Sequence, residues 1–137
     1  MSLPYHKLVV WQRADDLFID IHRLTLQHFP REEKYELGSQ VRRSSNSSPA
    51  NLAEKHSDRH IKNKIEGVNR ARCEALETVH HLFIARMKGY IQDDVFKTFR
   101  DRYVECVRML NGLERTLEKQ LPPEVRHWPS TPSSPEP

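Results

Sequence analysis

Histidines 56 and 60, four residues apart and flanked by Glu54 and Asp58, come nearest to a metal-ligand spacing in this chain. On a helix, residues at i and i+4 share a face, as a zinc site requires. The neighbouring residues place this pair in a turn between two helices, where the spacing loses that meaning. Solvated turn histidines beside basic residues are the plainer reading. His80 and His81 are adjacent and so point to different faces. No Ser-His-Asp order, glycine-rich phosphate loop or His-Glu-x-x-His occurs. No catalytic residue, metal or cofactor is assigned, and the chain is read as non-enzymatic.

The basic residues carry a stronger pattern. Between Lys55 and Arg72 there are six cations, Lys55, Arg59, Lys62, Lys64, Arg70 and Arg72, against only Asp58 and Glu66. Arg42 and Arg43 precede them. Helical geometry sets Arg59, Lys62 and Arg70 broadly on one outer face, a stripe able to contact phosphates. Each phosphate neutralised would steepen the salt dependence of binding. Arg42, Arg43, Lys55, Arg59, Lys62, Lys64 and Arg70 are therefore the candidate RNA- or DNA-binding residues. Against this, a charge run on a helix is usually a solvated face, and no aromatic residue interleaves the stripe for base stacking. Arg72 and Arg86 differ from the rest. They fall in phase with apolar positions, where an unpaired charge is costly, so each should meet a carboxylate or cross a subunit interface. Glu54 and Glu77 are partners by residue type alone.

The elements that must position these residues are helical. The 137 residues include 22 Lys and Arg against 19 Asp and Glu, a formal net charge of +3, and only 4 Gly. Few glycines argue against a turn-rich β fold, and no apolar run reaches the roughly 18 residues of a membrane span. No charged start followed by an apolar stretch marks a secretion signal. The cysteines, Cys73 and Cys106, lack metal-type spacing, and a cytoplasmic, reducing location is expected. Cys106 reads as a small core residue and Cys73 as exposed.

Phe99, Tyr103, Cys106, Leu110, Leu113, Leu117 and Leu121 alternate steps of four and three, a continuous helical stripe. Asp93 and Asp94 suit its N-terminus, and Pro122 and Pro123 stop it. A first helix follows Val10, Ala14, Leu17, Ile21, Leu24 and His28. Pro30 ends it and is expected to start the next, with Glu32 and Glu33 in the first turn. A third helix, from about Asp58 to Lys88, carries Ile61, Ile65, Val68, Ala75, Val79, Leu82 and Phe83, with Ser57 as N-cap and Gly89 just beyond its end. The second segment has two readings. Either Ser48 caps a new helix at Pro49, or one helix kinks there and its small residues admit a close neighbour. Leu37, Val41, Ser45, Ser48 and Leu52 stay in phase across the proline, which favours the kinked helix. The fold class expected is all-α, an antiparallel up-and-down four-helix bundle over residues 1–121. Residues 122–137, with six prolines, form a disordered or polyproline-like tail. Trp128 either docks on the body or on a neighbouring subunit, or stays solvated.

Particular stretches point to a family. Val9-Val10-Trp11-Gln12-Arg13-Ala14, Tyr35-Glu36-Leu37-Gly38-Ser39-Gln40-Val41-Arg42-Arg43 and Ser48-Pro49-Ala50-Asn51-Leu52-Ala53-Glu54 come in order, followed by Ala71-Arg72-Cys73-Glu74-Ala75-Leu76-Glu77 and Gly89-Tyr90-Ile91. Together they resemble the four-helix-bundle proteins of 23S rRNA intervening sequences, across the body but not the tail. The resemblance implies a homopentamer and a single continuous second helix through Pro49. It extends to accessory proteins of diversity-generating retroelements, basic pentamers that contact nucleic acid and a reverse transcriptase. Five copies of this chain would carry a charge of about +15. The chain departs from the pattern at Cys73-Glu74, where Gly-Ser is common, and at Lys55, where glycine is usual. Positions matching Arg42, Arg43, Asn51, Glu54 and Glu77 are characteristically polar in that family. Asn51, Glu54, Arg72 and Glu77 are read as a structural polar network that sets bundle register.

Trp11, Phe18, Leu26, Ile84, Phe96 and Val107 lie outside the main stripes and argue for a subunit interface. The expected partners are therefore further copies of the chain and RNA or DNA, with no membrane. The alternative is a protein-interaction or scaffold module without a nucleic-acid role, using Trp128 and the tail.

Overall fold

The computed structural model describes residues 3–128. Four helices account for the fold: α1 (Val9–His28), α2 (Leu37–His56), α3 (Ile61–Met87) and α4 (Asp93–Glu118). They run up-down-up-down, each packed on its sequence neighbour and α4 closing against α1. No strand occurs among the described residues, and none of their helices is long and apolar enough to cross a membrane.

The helix ends follow local chemistry, with two differences from the sequence reading. Pro30 ends α1 but does not start α2. A single 3₁₀ turn, Arg31–Glu33, intervenes, and Glu33 Oε2 accepts the Leu37 N–H at 3.1 Å to cap α2. Ser57 does not cap α3. Asp58 turns the chain instead, accepting the His60 N–H at 2.8 Å and the Asn63 amide at 3.2 Å. That donor pair holds its carboxyl below the usual range. At the far end of α3, Gly89 takes φ +80, with its N–H on Arg86 O and the Tyr90 N–H on Ala85 O. This pair of bonds satisfies the last carbonyls and turns the chain sharply into α4.

Pro49 lies inside one continuous α2 and is buried. The small residues around it do what the kinked-helix reading requires. Ser44 and Ser48 are buried against α3, where Ser44 Oγ and Thr78 Oγ1 pair at 2.8 Å and Ser48 Oγ donates to Ala71 O at 2.9 Å. The facing side of α3 is Val68, Ala71, Ala75, Thr78, Leu82 and Ala85. Phe83 and Ile65, expected in that stripe, are not buried. Small side chains let the two backbones approach, so the bulky ones are displaced outward.

The core is completed by Leu17 and Ile21 of α1, Val41 of α2, and Phe99, Tyr103, Cys106 and Leu110 of α4. Burial pushes the Cys106 thiol up to about 11, which keeps it protonated and inert. Phe96, expected at an interface, is buried, and Ile84 and Val107 pack against the same core. Of that expected set Leu26 is exposed, and Trp11 and Phe18 are half-buried; further exposed apolar residues are Leu76, Phe83 and Met87 on one side of α3, Val104 on α4 and Ile19 on α1.

Residues 122–128, expected to be disordered or extended, instead pack on α4. A 3₁₀ turn, Pro123–Val125, reverses the chain. The backbone N–H groups of His127 and Trp128 then donate to Glu118 at 3.0 and 2.8 Å, and the Trp128 indole donates to Glu114. The remainder of that proline-rich segment, 129–137, lies outside the described residues.

Candidate nucleic-acid interface

Around the α2–α3 turn lie Lys55 at the end of α2, Arg59 in the turn itself, and Lys62 and Lys64 in the first turn of α3. Arg59 and Lys62 are exposed, Lys64 is half-buried, and none of the three lies within ion-pair distance of a carboxylate among the described residues. Lys55 is held differently. Its stem crosses α3 at Gly67, and its ammonium lies 3.9 Å from Glu54. Arg70 is paired with Glu66 at 3.0 Å, so part of the expected stripe is already neutralised. Arg59 precedes α3 and belongs to the turn. His56 ends α2, whereas His60 precedes α3, and burial with the nearby Lys64 charge holds His56 below the ordinary imidazole range. Among the described residues, no three His, Cys, Asp or Glu side chains are placed to hold a metal ion.

Arg42 and Arg43, adjacent on α2, have different surroundings. Arg42 is an internal fork: Nη1 donates to Thr25 Oγ1 at 2.9 Å and Nη2 to Lys34 O at 2.6 Å. Gly38, one turn earlier, makes room for it, since a Cβ there would meet Glu33 O at 2.8 Å and Arg42 Nη1 at 3.1 Å. Arg42 thus ties α1, α2 and their connection together. Arg43 projects outward, 65% exposed, with a long 3.4 Å contact to Glu77. Between α1 and α2 the surface opens into a groove of about 580 Å³, lined by Phe18 and His22 on one side and Ser39, Arg43 and Asn46 on the other. Phe18 is expected from the sequence at a subunit interface and not in a groove with Arg43, and His22 and Asn46 escape sequence reasoning because only the packing of α1 on α2 sets which of their side chains share a surface.

Glu77 also faces Glu74 and His81, the latter at 3.8 Å. Burial, reinforced by the Glu77 charge, pushes the Glu74 carboxyl up, and its Oε2 is buried without a hydrogen-bond partner among the described residues. A carboxyl raised in the folded state binds its proton more tightly there than in the unfolded chain. Its contribution is full below the unfolded value near 4.5 and is lost as pH rises through the raised one. Glu74→Gln is therefore expected to flatten the acid side of the stability–pH curve and to raise Tm at pH 7 relative to wild type. Thermal melts across pH 4–8 check this, and a parallel shift at every pH would contradict it.

The four residues expected to form a structural polar network do not meet. Asn51 bonds locally to Ser47, Glu54 is exposed beside Lys55, and Glu77 belongs to the Arg43 cluster. Arg72 reaches α4, donating to Asn111 Oδ1 at 2.8 Å and to Glu114 Oε1 at 2.9 Å. Arg86, the other in-phase cation, pairs with Asp93 and lies over the Phe83 and Phe96 rings. Both meet carboxylates, though not the ones proposed by type.

Two comparisons bear on identity. A family model described as 23S rRNA-intervening sequence protein matches residues 6–112, well over half of the chain. A crystal structure of a protein of unknown function from the S23 ribosomal protein family of Bacteroides thetaiotaomicron superposes with a TM-score of 0.73 at 21% identity. It covers 78% of this chain and 96% of its own. At that identity the likeness speaks for the fold. No curated protein matches the chain.

Proposed function

The chain belongs to the 23S rRNA-intervening sequence protein family, and from that premise we propose that it is a non-enzymatic, self-assembling protein that contacts RNA or DNA through the α2–α3 turn. The supporting observation is the group Arg59, Lys62 and Lys64, three cations without a carboxylate partner among the described residues, one in the α2–α3 turn and two in the first turn of α3. Cations left unneutralised at this helix junction are suited to phosphates, which they meet without breaking an existing ion pair. Assembly, as a pentamer by the resemblance, would repeat that turn around a ring and multiply its field.

Salt-titrated binding to a structured RNA tests this reading. Wild type is expected to bind at low salt with a steep log–log salt dependence. Reversing Arg59, Lys62 and Lys64 to Glu should weaken binding and make that slope shallower by about one unit per contact removed. Absence of binding at low salt, or an unaltered slope in the triple variant, defeats the proposal.

A second reading, a protein-interaction module without a nucleic-acid role, is favoured by the apolar strip on the α3–α4 face. Leu76 is 55% exposed, Met87 66% and Val104 50%. Light scattering separates the two uses of that strip. A monomer in solution leaves it for another protein, whereas an oligomer that falls apart on Leu76→Lys assigns it to self-assembly.

A further inference from the structure

We propose that the groove between α1 and α2 seats one unpaired nucleotide of a single-stranded nucleic acid, with its base against Phe18 and His22 and its phosphate at Arg43. This rests on the nucleic-acid reading above and adds to it what kind of strand is taken and where. The groove is a broad, shallow opening of about 580 Å³, room for one nucleotide lying along the surface without being enclosed. It exists because α2 presents short side chains there, Ser39, Asn46 and Ala50, opposite the Phe18 and His22 rings. Those rings stand one helical turn apart with centroids 6.1 Å from each other and planes inclined at 67°, an edge-to-face pair, so a base stacked on Phe18 meets His22 at its edge.

The chemistry of the lining is one-sided. It holds two guanidinium groups and no carboxylate. Arg42 is bound to Thr25 and to the Lys34 carbonyl, so it supplies charge without reach. Arg43 is free to swing, because its one ion pair among the described residues is a long contact between two exposed groups, of the kind that contributes little. A phosphate offers that fork a bidentate partner of greater strength. Asn46 and Ser39 are exposed, and their side chains make no hydrogen bond among the described residues, leaving donors and acceptors for a base edge. An anion carrying a flat ring matches all of these features. A paired base cannot use them, since its faces are stacked and its edge is occupied; stacking on protein rings requires an unpaired one. The groove lies roughly 20 Å along α2 from the turn cations, so the two features can be altered separately.

The test is fluorescence anisotropy at low salt with a labelled single-stranded RNA of about twelve nucleotides and a duplex of equal length. Phe18→Leu keeps the apolar volume and removes the ring; Ala50→Leu, at an exposed position, narrows the groove; Phe18→Tyr restores the ring. The first two are expected to weaken single-strand binding about tenfold, leaving duplex binding unchanged, and the third to retain it. Thermal melts verify that each variant is folded. If Phe18→Leu and Ala50→Leu both bind the single strand like wild type while the triple Glu variant of the turn loses it, the groove proposal is overturned and the turn reading stands. If wild type binds neither RNA, both are overturned. If Phe18→Leu lowers duplex and single-strand binding equally, the ring acts through packing and the proposal again falls.

Discussion

Arg72→Ala is expected to destabilise the bundle by about 3–5 kcal/mol, the typical cost of removing one partner from a buried ion pair. Arg72 and Glu114 are 19% and 5% exposed at their side chains and meet at 2.9 Å. Glu114 gathers donors from two directions. Arg72 occupies Oε1 and the Trp128 indole occupies Oε2, while Asn111 accepts the second arm of the guanidinium. Alanine would leave a carboxylate on the α3–α4 seam with one donor and little water. Most of the penalty is the orphaned charge, not the lost attraction. The double variant Arg72→Met with Glu114→Met should therefore lose less than Arg72→Ala alone. Urea unfolding of the three proteins measures this. A loss below about 1 kcal/mol in Arg72→Ala would mean that the pair behaves as an exposed surface contact. The strap of residues 122–128 is coupled to the same group, so Arg72→Ala should also expose it to proteolysis after Arg126.

The second large effect is expected at Gly67. A Cβ there would stand 2.3 Å from Lys55 Cβ, 2.7 Å from Lys55 Cγ and 3.3 Å from Asn51 O. The nearest atom is the root of the lysine side chain, which no rotamer change can move, so α2 and α3 must separate. Gly67→Ala is expected to cost about 2 kcal/mol, within the overpacking range, although alanine is intrinsically the better helix former by about 1 kcal/mol. Lys55→Gly should relieve the clash. In a double-mutant cycle the pair is expected to couple favourably by more than 1 kcal/mol. Additive losses in the cycle would show that the helices have room at this crossing. The geometry also accounts for the departure noted in the sequence. Lysine stands at position 55, where the resemblance leads one to expect glycine, and a glycine stands opposite it on α3.

Much of the fold was readable residue by residue. The α4 stripe from Phe99 to Leu117, the Gly89 turn with positive φ and the unbroken phase of Leu37, Val41 and Leu52 across Pro49 are local signals, carried by periodicity and backbone preference. The α3 face was less legible. Hydrophobic periodicity weights large side chains, so Phe83 stood out and Ala71, Thr78 and Ala85 did not. Yet the small residues are buried and Phe83 is 39% exposed, because close helix approach selects for small volume. The basic residues were visible as a group, but their neighbours were not. Arg42 bound to Thr25, Arg70 bound to Glu66 and Lys62 without an ion pair look alike in a charge count.

By itself, the amino-acid sequence determined the number of helices, their order, their approximate ends and an uneven charge concentrated near the second turn. These depend on interactions within a few residues: a repeat of 3.6, a proline, a glycine, an acidic first turn. Only the tertiary structure decided which charges are already satisfied, that Phe18 and His22 face Arg43 across a groove, and that Trp128 is seated on Glu114 and Glu118. Each of those pairs residues from different elements, and partner choice across helices is set by packing distance and burial rather than by neighbouring letters. The net charge of +3 is a property of the chain; that Arg59, Lys62 and Lys64 have no carboxylate partner among the described residues is a property of the fold.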